Sequence, residues 1–359
     1  MKEKKDILAY PPEELAQEPV LKGYPKYRGQ QIYQWLHQKG AISFYEMTNL
    51  PRAIQEELTK EYEIPSLALA KRQQSTRDGT NKFLFQLSDN HFIESVWLPY
   101  EHGNSVCISS QVGCAFGCRF CASGITGLTR NLTVGEMLGQ VYRIQGIIGQ
   151  RVSHVVVMGM GEPLDNYSTF VSFVRQISHP QGLQISQRNI TVSTCGLAPQ
   201  IRKLAKEHLQ ITLALSLHAT TNEKRRTLMP ITNTYPLEDV LEACEEYFTV
   251  TGRRVTYEYS LVAGVNDGEE ELRELTELLR GKSCHVNLIP INPINERKFA
   301  PSNPETALKF KKNLEKCGIN VTIRREMGTD IDGACGQLRL RPGVKRGYFE
   351  RSRKSFLGS

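Results

Sequence analysis

Cys114-Ala115-Phe116-Gly117-Cys118-Arg119-Phe120-Cys121 sets three thiols within eight residues, on a loop that follows directly on a β-branched run at 106–109. From that run onward, short β-branched segments alternate with segments of helical period. Strands are predicted at 106–109, 154–158, 189–193, 211–217, 254–261 and 285–289. Helices are predicted between and after them at 134–148, 167–177, 199–206, 237–248, 269–279 and 305–316. The first of these is well marked, because Thr133 and Glu136 stand at capping-box spacing. Six βα units imply a parallel sheet, since parallel neighbours need crossover connections. Six is short of the eight that close a barrel. The expected fold is therefore α/β: a partial (β/α)6 TIM-like barrel, with a doubly wound sheet as the alternative. Either form gathers its chemistry at the carboxyl ends of the strands.

Upstream of the barrel, residues 1–66 read as helical. Ile32, Trp35 and Leu36 share one helix face, Ile54 and Leu58 another, and Pro51 and Pro65 punctuate them. Apolar runs at 82–87 and 92–98 flank Ser88-Asp89-Asn90-His91, a hairpin signal. The expected organisation is a small helical accessory domain over 1–66, a β-hairpin connector over 67–99, a core over 100–330, and a small-residue loop with a basic tail over 331–359.

The composition, 359 residues at 40% hydrophobic and 23% charged, is that of an ordinary globular chain and excludes disorder and collagen-like repetition. The net charge of +7 is concentrated at the end, where seven basic residues between Arg339 and Ser359 face the single acid Glu350. Such a tail suits a polyanion such as RNA. No apolar run reaches the roughly 18 residues of a membrane span, and the lysine-rich start leads into no signal-peptide core, so a cytoplasmic location is expected. Nine cysteines, three of them clustered, do not make a secreted disulfide framework. Clustered thiols in a reducing compartment point to metal or catalysis. Three thiolates this close can each hold one iron of a four-iron cluster, leaving the fourth iron open. The alternative is a closed zinc site, with Cys107 as its fourth ligand.

The C-x3-C-x2-C run, with an aromatic before its last Cys and at the head of a β/α chain, resembles the radical S-adenosylmethionine (SAM) superfamily. The segments 107–114 (CISSQVGC), 158–163 (MGMGEP), 216–218 (SLH) and 330–338 (DIDGACGQL) together resemble the RlmN family of RNA methyltransferases within it. The resemblance runs from the N-terminal domain to about Leu338. It implies one [4Fe-4S] cluster per chain, held by Cys114, Cys118 and Cys121, whose open iron chelates SAM for one-electron cleavage to a 5'-deoxyadenosyl radical. It also implies SAM contacts from Gly161, Glu162, Ser193, Ser216, Leu217, His218 and Asn292. The implied reaction is methylation of carbon 2 of adenosine 2503 in 23S rRNA and of adenosine 37 in tRNAs, at two SAM per methyl group.

Carbon 2 of adenine is electron-poor and carries no lone pair, so polar transfer from SAM fails there. The family answer is to park the methyl on a thiol first. Cys335 matches the methylated cysteine, Cys107 the thiol that resolves the RNA adduct by a transient disulfide, and Glu94 the proton acceptor, a role that Cys107 itself could also fill. The implied partners are the two RNAs, an electron donor such as flavodoxin or ferredoxin, and a thiol reductant for the Cys107–Cys335 disulfide, with the chain acting as a monomer. The helical domain is expected to bind RNA; Arg28, Trp35, Arg324, Arg325 and the tail are candidate phosphate contacts, each with an equally good reading as solvated surface. Cys195, Cys244, Cys284 and Cys317 read as small buried hydrophobes. Three other readings compete: a Cfr-type carbon-8 enzyme, against which Val112 and Glu162-Pro163 stand; a zinc-stapled RNA-binding protein without catalysis; and a radical activase acting on a partner protein.

Overall fold

The computed structural model describes residues 4–101, 103–294 and 299–338; the basic tail lies outside them. Seven parallel strands form the core: Gly103–Cys107, His154–Val157, Ile190–Thr194, Thr212–Ser216, Val255–Leu261, Cys284–Pro290 and Asn320–Ile323. They lie side by side in the order in which the chain visits them. Right-handed crossovers in an order without reversal keep every connecting helix on one face. A doubly wound sheet reverses its order at a switch point, and this sheet does not, so the architecture is the partial barrel. The seventh strand is absent from the sequence reading. Asn320–Ile323 has four residues, of which Val321 alone is fully buried, too short a run for two-fold alternation to register.

The predicted hairpin belongs to a three-stranded antiparallel meander, Ala68–Gln74, Asn81–Gln86 and Phe92–Tyr100, which extends the sheet to ten strands beyond Gly103–Cys107. The outermost strand carries Lys71 and Arg72, charges that discourage pairing at an open edge.

Helix Val134–Ile148 starts where the sequence places it. The Thr133 hydroxyl accepts from the Glu136 amide at 3.2 Å while the Glu136 carboxylate accepts from the Thr133 amide at 2.9 Å. Gly149, at φ 72°, ends the helix in the left-handed conformation that glycine tolerates. The N-terminal helix Tyr27–His37 docks on the barrel's outer helices. Tyr33 donates to the Gln176 side chain at 2.8 Å, and His37 Nδ1 meets the Tyr142 hydroxyl at 2.6 Å. Asp6 accepts from the Gly135 amide at 2.7 Å and so adds a carboxylate to the same helix N-terminus.

One buried amide fastens the meander to the barrel. Gln140 Oε1 accepts from the Ser95 hydroxyl and the Ser109 amide, both at 2.8 Å, and its Nε2 donates to the Ser109 carbonyl at 3.0 Å. The Ser109 hydroxyl in turn donates to the Glu94 carbonyl at 2.7 Å and accepts from the Met160 amide at 3.0 Å. Replacing Gln140 by Leu strands three buried polar groups, the Ser95 hydroxyl and the Ser109 amide and carbonyl. A loss of about 2–4 kcal/mol in unfolding free energy is expected in denaturant titration.

Candidate active site

The carboxyl ends of the strands and the loops that follow them enclose one cavity. Its wall includes Cys114, Cys118, Cys121, Cys107, Cys335, Gly161, Glu162, Ser193, Ser216, His218 and Asn292. Residues scattered over more than two hundred positions thus meet in one place. All nine cysteines are free thiols.

The three-thiol loop is shaped by close backbone contact. Gln111–Gly113 pairs antiparallel with Leu128–Asn131, and at Gly113 (φ 81°) a Cβ would sit 1.9 Å from the Gly127 carbonyl, so only glycine fits. Amide bonds from Cys114 to the Gly127 carbonyl (3.1 Å) and from Arg119 to the Leu228 carbonyl (2.8 Å) fix the loop at both ends. Burial pushes all three thiols up, Cys114 to about 12; Cys114 and Cys118 are pushed further by their neighbours in the triad, and Cys121 by Cys335. Desolvated thiols of this kind ionise only against a cationic centre, and the donor set fits the cluster implied by the spacing. Among the described residues no group of three His, Cys, Asp or Glu side chains surrounds a single ion.

Cys107 stands apart from the triad. Its electrostatic neighbours are Cys335 and Arg324, and burial pushes it up to about 12. Cys335 is exposed on the cavity wall, and its sulfur lies close enough to perturb the ionisation of both Cys121 and Cys107. Hydrogen bonds hold its segment from three sides. Ala122 donates to the Gly336 carbonyl at 2.8 Å, the Ser123 hydroxyl to the Leu338 carbonyl at 2.7 Å, and Asn292 Nδ2 to the Cys335 carbonyl at 3.2 Å. Gly336 takes φ 80°, and a Cβ there would lie 3.3 Å from the Phe120 carbonyl.

The residues expected to contact SAM divide into two groups. Gly161, at φ 105°, leaves no room for a Cβ, which would stand 2.6 Å from Gln111 Cβ. Glu162 is buried, and its oxygens accept from the Leu164 amide at 3.1 Å and the Cys195 amide at 2.7 Å. Ser193 and Ser216 face each other at 3.4 Å. His218 is held at φ 55°, with Nδ1 accepting from the Ser260 amide at 3.0 Å; burial and then Arg225 pull it down to about 3, so it is a neutral ring and no general base at neutral pH. Asn292 holds the Cys335 backbone. Leu217 itself is fully buried and outside the cavity wall, whereas Ser216 at the strand end and His218 just beyond it line the cavity.

Other expectations also change. Glu94 lies outside the cavity wall, buried in an ion pair with Lys82 at 3.3 Å. Arg324, expected on an RNA surface, lines the cavity beside Cys335, Glu258 and Cys107. Cys317, expected to be buried, is exposed, and Cys195 is part of the cavity wall. Arg28 and Trp35 are tied to Asn49 within their own domain, at 2.8 and 2.6 Å. The sequence reading missed Arg225 altogether. Fully buried, its guanidinium donates to the carbonyls of Leu217 (3.2 Å), Cys195 (2.7 Å) and Ser216 (3.0 Å), stapling the ends of the third and fourth strands. Its sequence signal is weak: Arg225-Arg226 is one of three arginine pairs in the chain.

A partial barrel whose first strand feeds a three-cysteine loop is the architecture of the radical SAM superfamily, and the chain matches that family's model over residues 108–276. Residues 6–64 match the model described as the ribosomal RNA large subunit methyltransferase N-terminal domain. The chain is 57% identical to a probable dual-specificity RNA methyltransferase RlmN of Lachnoclostridium phytofermentans, over 94% of this chain and 95% of that one. It is 56% identical to the protein of the same description from Lachnospira eligens, over 88% and 91%. A radical SAM methyltransferase structure from Sphaerobacter thermophilus superposes with a TM-score of 0.88 at 41% identity, covering 93% of this chain and 99% of that one. The chain belongs to the RlmN family of radical SAM RNA methyltransferases.

Two buried imidazoles give a test of the site's electrostatics. His37 and His218 are both drawn down to about 3 from the usual 6.5, first by burial. Their contribution to stability is complete above the unfolded value and is lost as pH falls from there toward 3. In histidine-labelled protein the ring signals of these two residues should stay unshifted from about pH 8 to about pH 5, with His218→Gln identifying one of them. A ring that titrates near 6.5 would refute the burial of that site.

Proposed function

We propose that this chain methylates carbon 2 of an adenosine in 23S rRNA and in tRNAs, as a cytoplasmic enzyme that carries the methyl group on Cys335. The observation that supports this most directly is that Cys335 lines the same cavity as Cys121 of the triad and Cys107, near enough to raise the ionisation of both. A carrier that must collect a methyl group and later be cleared by a second thiol needs both within its reach.

In this reading Cys114, Cys118 and Cys121 hold the [4Fe-4S] cluster, which when bound cleaves SAM to the 5'-deoxyadenosyl radical with an electron from a flavodoxin- or ferredoxin-type donor. Cys335 acts first as nucleophile: its sulfur forms a bond to the methyl carbon of SAM while S-adenosylhomocysteine leaves. Its exposure to the cavity lets it meet both SAM and an extruded adenine base. The 5'-deoxyadenosyl radical would take a hydrogen atom from the S-methyl group, and the resulting methylene radical would add to carbon 2, whose hydrogen would leave as a proton while the one electron left over would return to the oxidised cluster. Cys107 would then attack the Cys335 sulfur: a disulfide forms as the sulfur–carbon bond breaks, the carbon takes that electron pair and the thiol proton, and an external thiol reduces the disulfide. Because burial pushes Cys107 up to about 12, it meets the adduct as a protonated thiol. A separate acceptor is then required for the carbon-2 proton, the role that the family resemblance gives to the Glu94 carboxylate.

Anaerobic reconstitution with iron, sulfide, reductant, SAM and 23S rRNA should yield 2-methyladenosine by nucleoside mass spectrometry. Finding 8-methyladenosine in its place would overturn the carbon-2 assignment. Cys107→Ala should accumulate protein covalently joined to RNA, visible as a gel shift removed by ribonuclease. Cys335→Ala should give neither adduct nor methylated base. Normal turnover by Cys107→Ala without adduct would remove Cys107 from the mechanism.

A further inference from the structure

A buried ammonium connects two parts of the site that the sequence gives no reason to link. Lys82 lies on strand Asn81–Gln86 with its side chain 6% exposed, and Glu94 lies on the neighbouring strand Phe92–Tyr100 with its side chain 9% exposed. Lys82 Nζ stands 3.3 Å from Glu94 Oε1 and donates to the Asp332 carbonyl at 3.1 Å, three residues before Cys335. The turn preceding Lys82 grips the same loop. The Thr76 amide donates to Asp330 Oδ2 at 3.2 Å, and the Gly328 amide to Asp78 Oδ2 at 2.8 Å. Gly328 takes φ 67° and packs so closely that a Cβ would lie 2.8 Å from Thr80 Cγ2, while Asp332 is itself held at φ 51°. A loop pinned at successive residues in left-handed backbone is held in place rather than resting there.

Stability does not require the charge. A buried Lys–Glu pair loses several kcal/mol of hydration per ion, and well-packed apolar residues of similar size commonly serve as well or better. What the pair supplies is a fixed relation between the carboxylate and the loop. We propose that Lys82 is a positioning residue that ties the proton acceptor Glu94 to the loop that delivers Cys335, so that carboxylate and methyl carrier are set in register for resolution of the RNA adduct. This rests on the roles given to Cys335 and Glu94 under the proposed function.

The test compares full-length parent, Lys82→Met, Lys82→Arg and the Lys82→Met/Glu94→Met double variant. The double variant replaces the pair by apolar residues and keeps the question open to measurement should Lys82→Met fold poorly. In hydrogen–deuterium exchange, both Met variants should open segment 328–335 at least about tenfold faster while the barrel strands keep their protection, and Lys82→Arg should restore it. In reconstituted enzyme, Lys82→Met should still acquire S-methyl on Cys335 by intact mass, while its steady-state share of RNA-linked protein rises at least about tenfold, with Lys82→Arg again near the parent. Unchanged exchange over 328–335 in both Met variants, or an RNA-linked share equal to the parent's, would overturn the proposal. Failure of the parent to form S-methylcysteine would instead defeat the proposed function, and the exchange comparison would still report whether Lys82 holds the loop.

Discussion

Two hydrogen bonds to the segment of the three-thiol loop that follows Cys121 determine whether this site exists. Ala122 donates to the Gly336 carbonyl and Ser123 to the Leu338 carbonyl, the latter across 215 positions of sequence. They bring the last described stretch of the chain against the first loop of the barrel. Cys335 reaches the triad because its neighbours on the C-terminal side are fastened there, and because Gly336 leaves room for the Phe120 carbonyl. Without these contacts the barrel would still present three thiols at its mouth, but the fourth working thiol would have no fixed place.

The electrostatics of the cavity follow from partial burial. Desolvation pushes the triad thiols and Cys107 up, and two guanidinium groups lie near them. Arg225 lies fully buried behind the third and fourth strands, where three carbonyls satisfy its donors without a carboxylate beside it. Arg324 faces Cys335, Cys107 and Glu258, and these neighbours raise it although burial acts against them. Arginine suits both positions because it keeps its charge when desolvated and spreads its donors in a fixed plane. His218, in the same environment, does the opposite and stays neutral. One cavity thus separates a permanent cation from a neutral hydrogen-bonding ring.

What the sequence determined by itself was everything set by near neighbours. The helix over Val134–Ile148 is legible because its cap, its apolar stripe and its terminal glycine lie within a few residues of one another. The spacing of the three cysteines is likewise a local fact, and so is the alternation of strand and helix that made the fold a barrel of this class.

Only the tertiary structure decided which distant groups meet. Nothing in the run Asn81-Lys82-Phe83 says that the lysine turns inward to join Glu94 and the Asp332 carbonyl, because that choice depends on which strand pairs beside it. The inward course of Arg324 depends on the short seventh strand, whose pairing with Cys284–Pro290 carries the chain back over the cavity. The meeting of Cys335 with Cys107 depends on both. Local preferences act over a few residues and leave a record in composition, whereas contacts across the barrel are set by strand register and chain reversal, which no short stretch of sequence encodes.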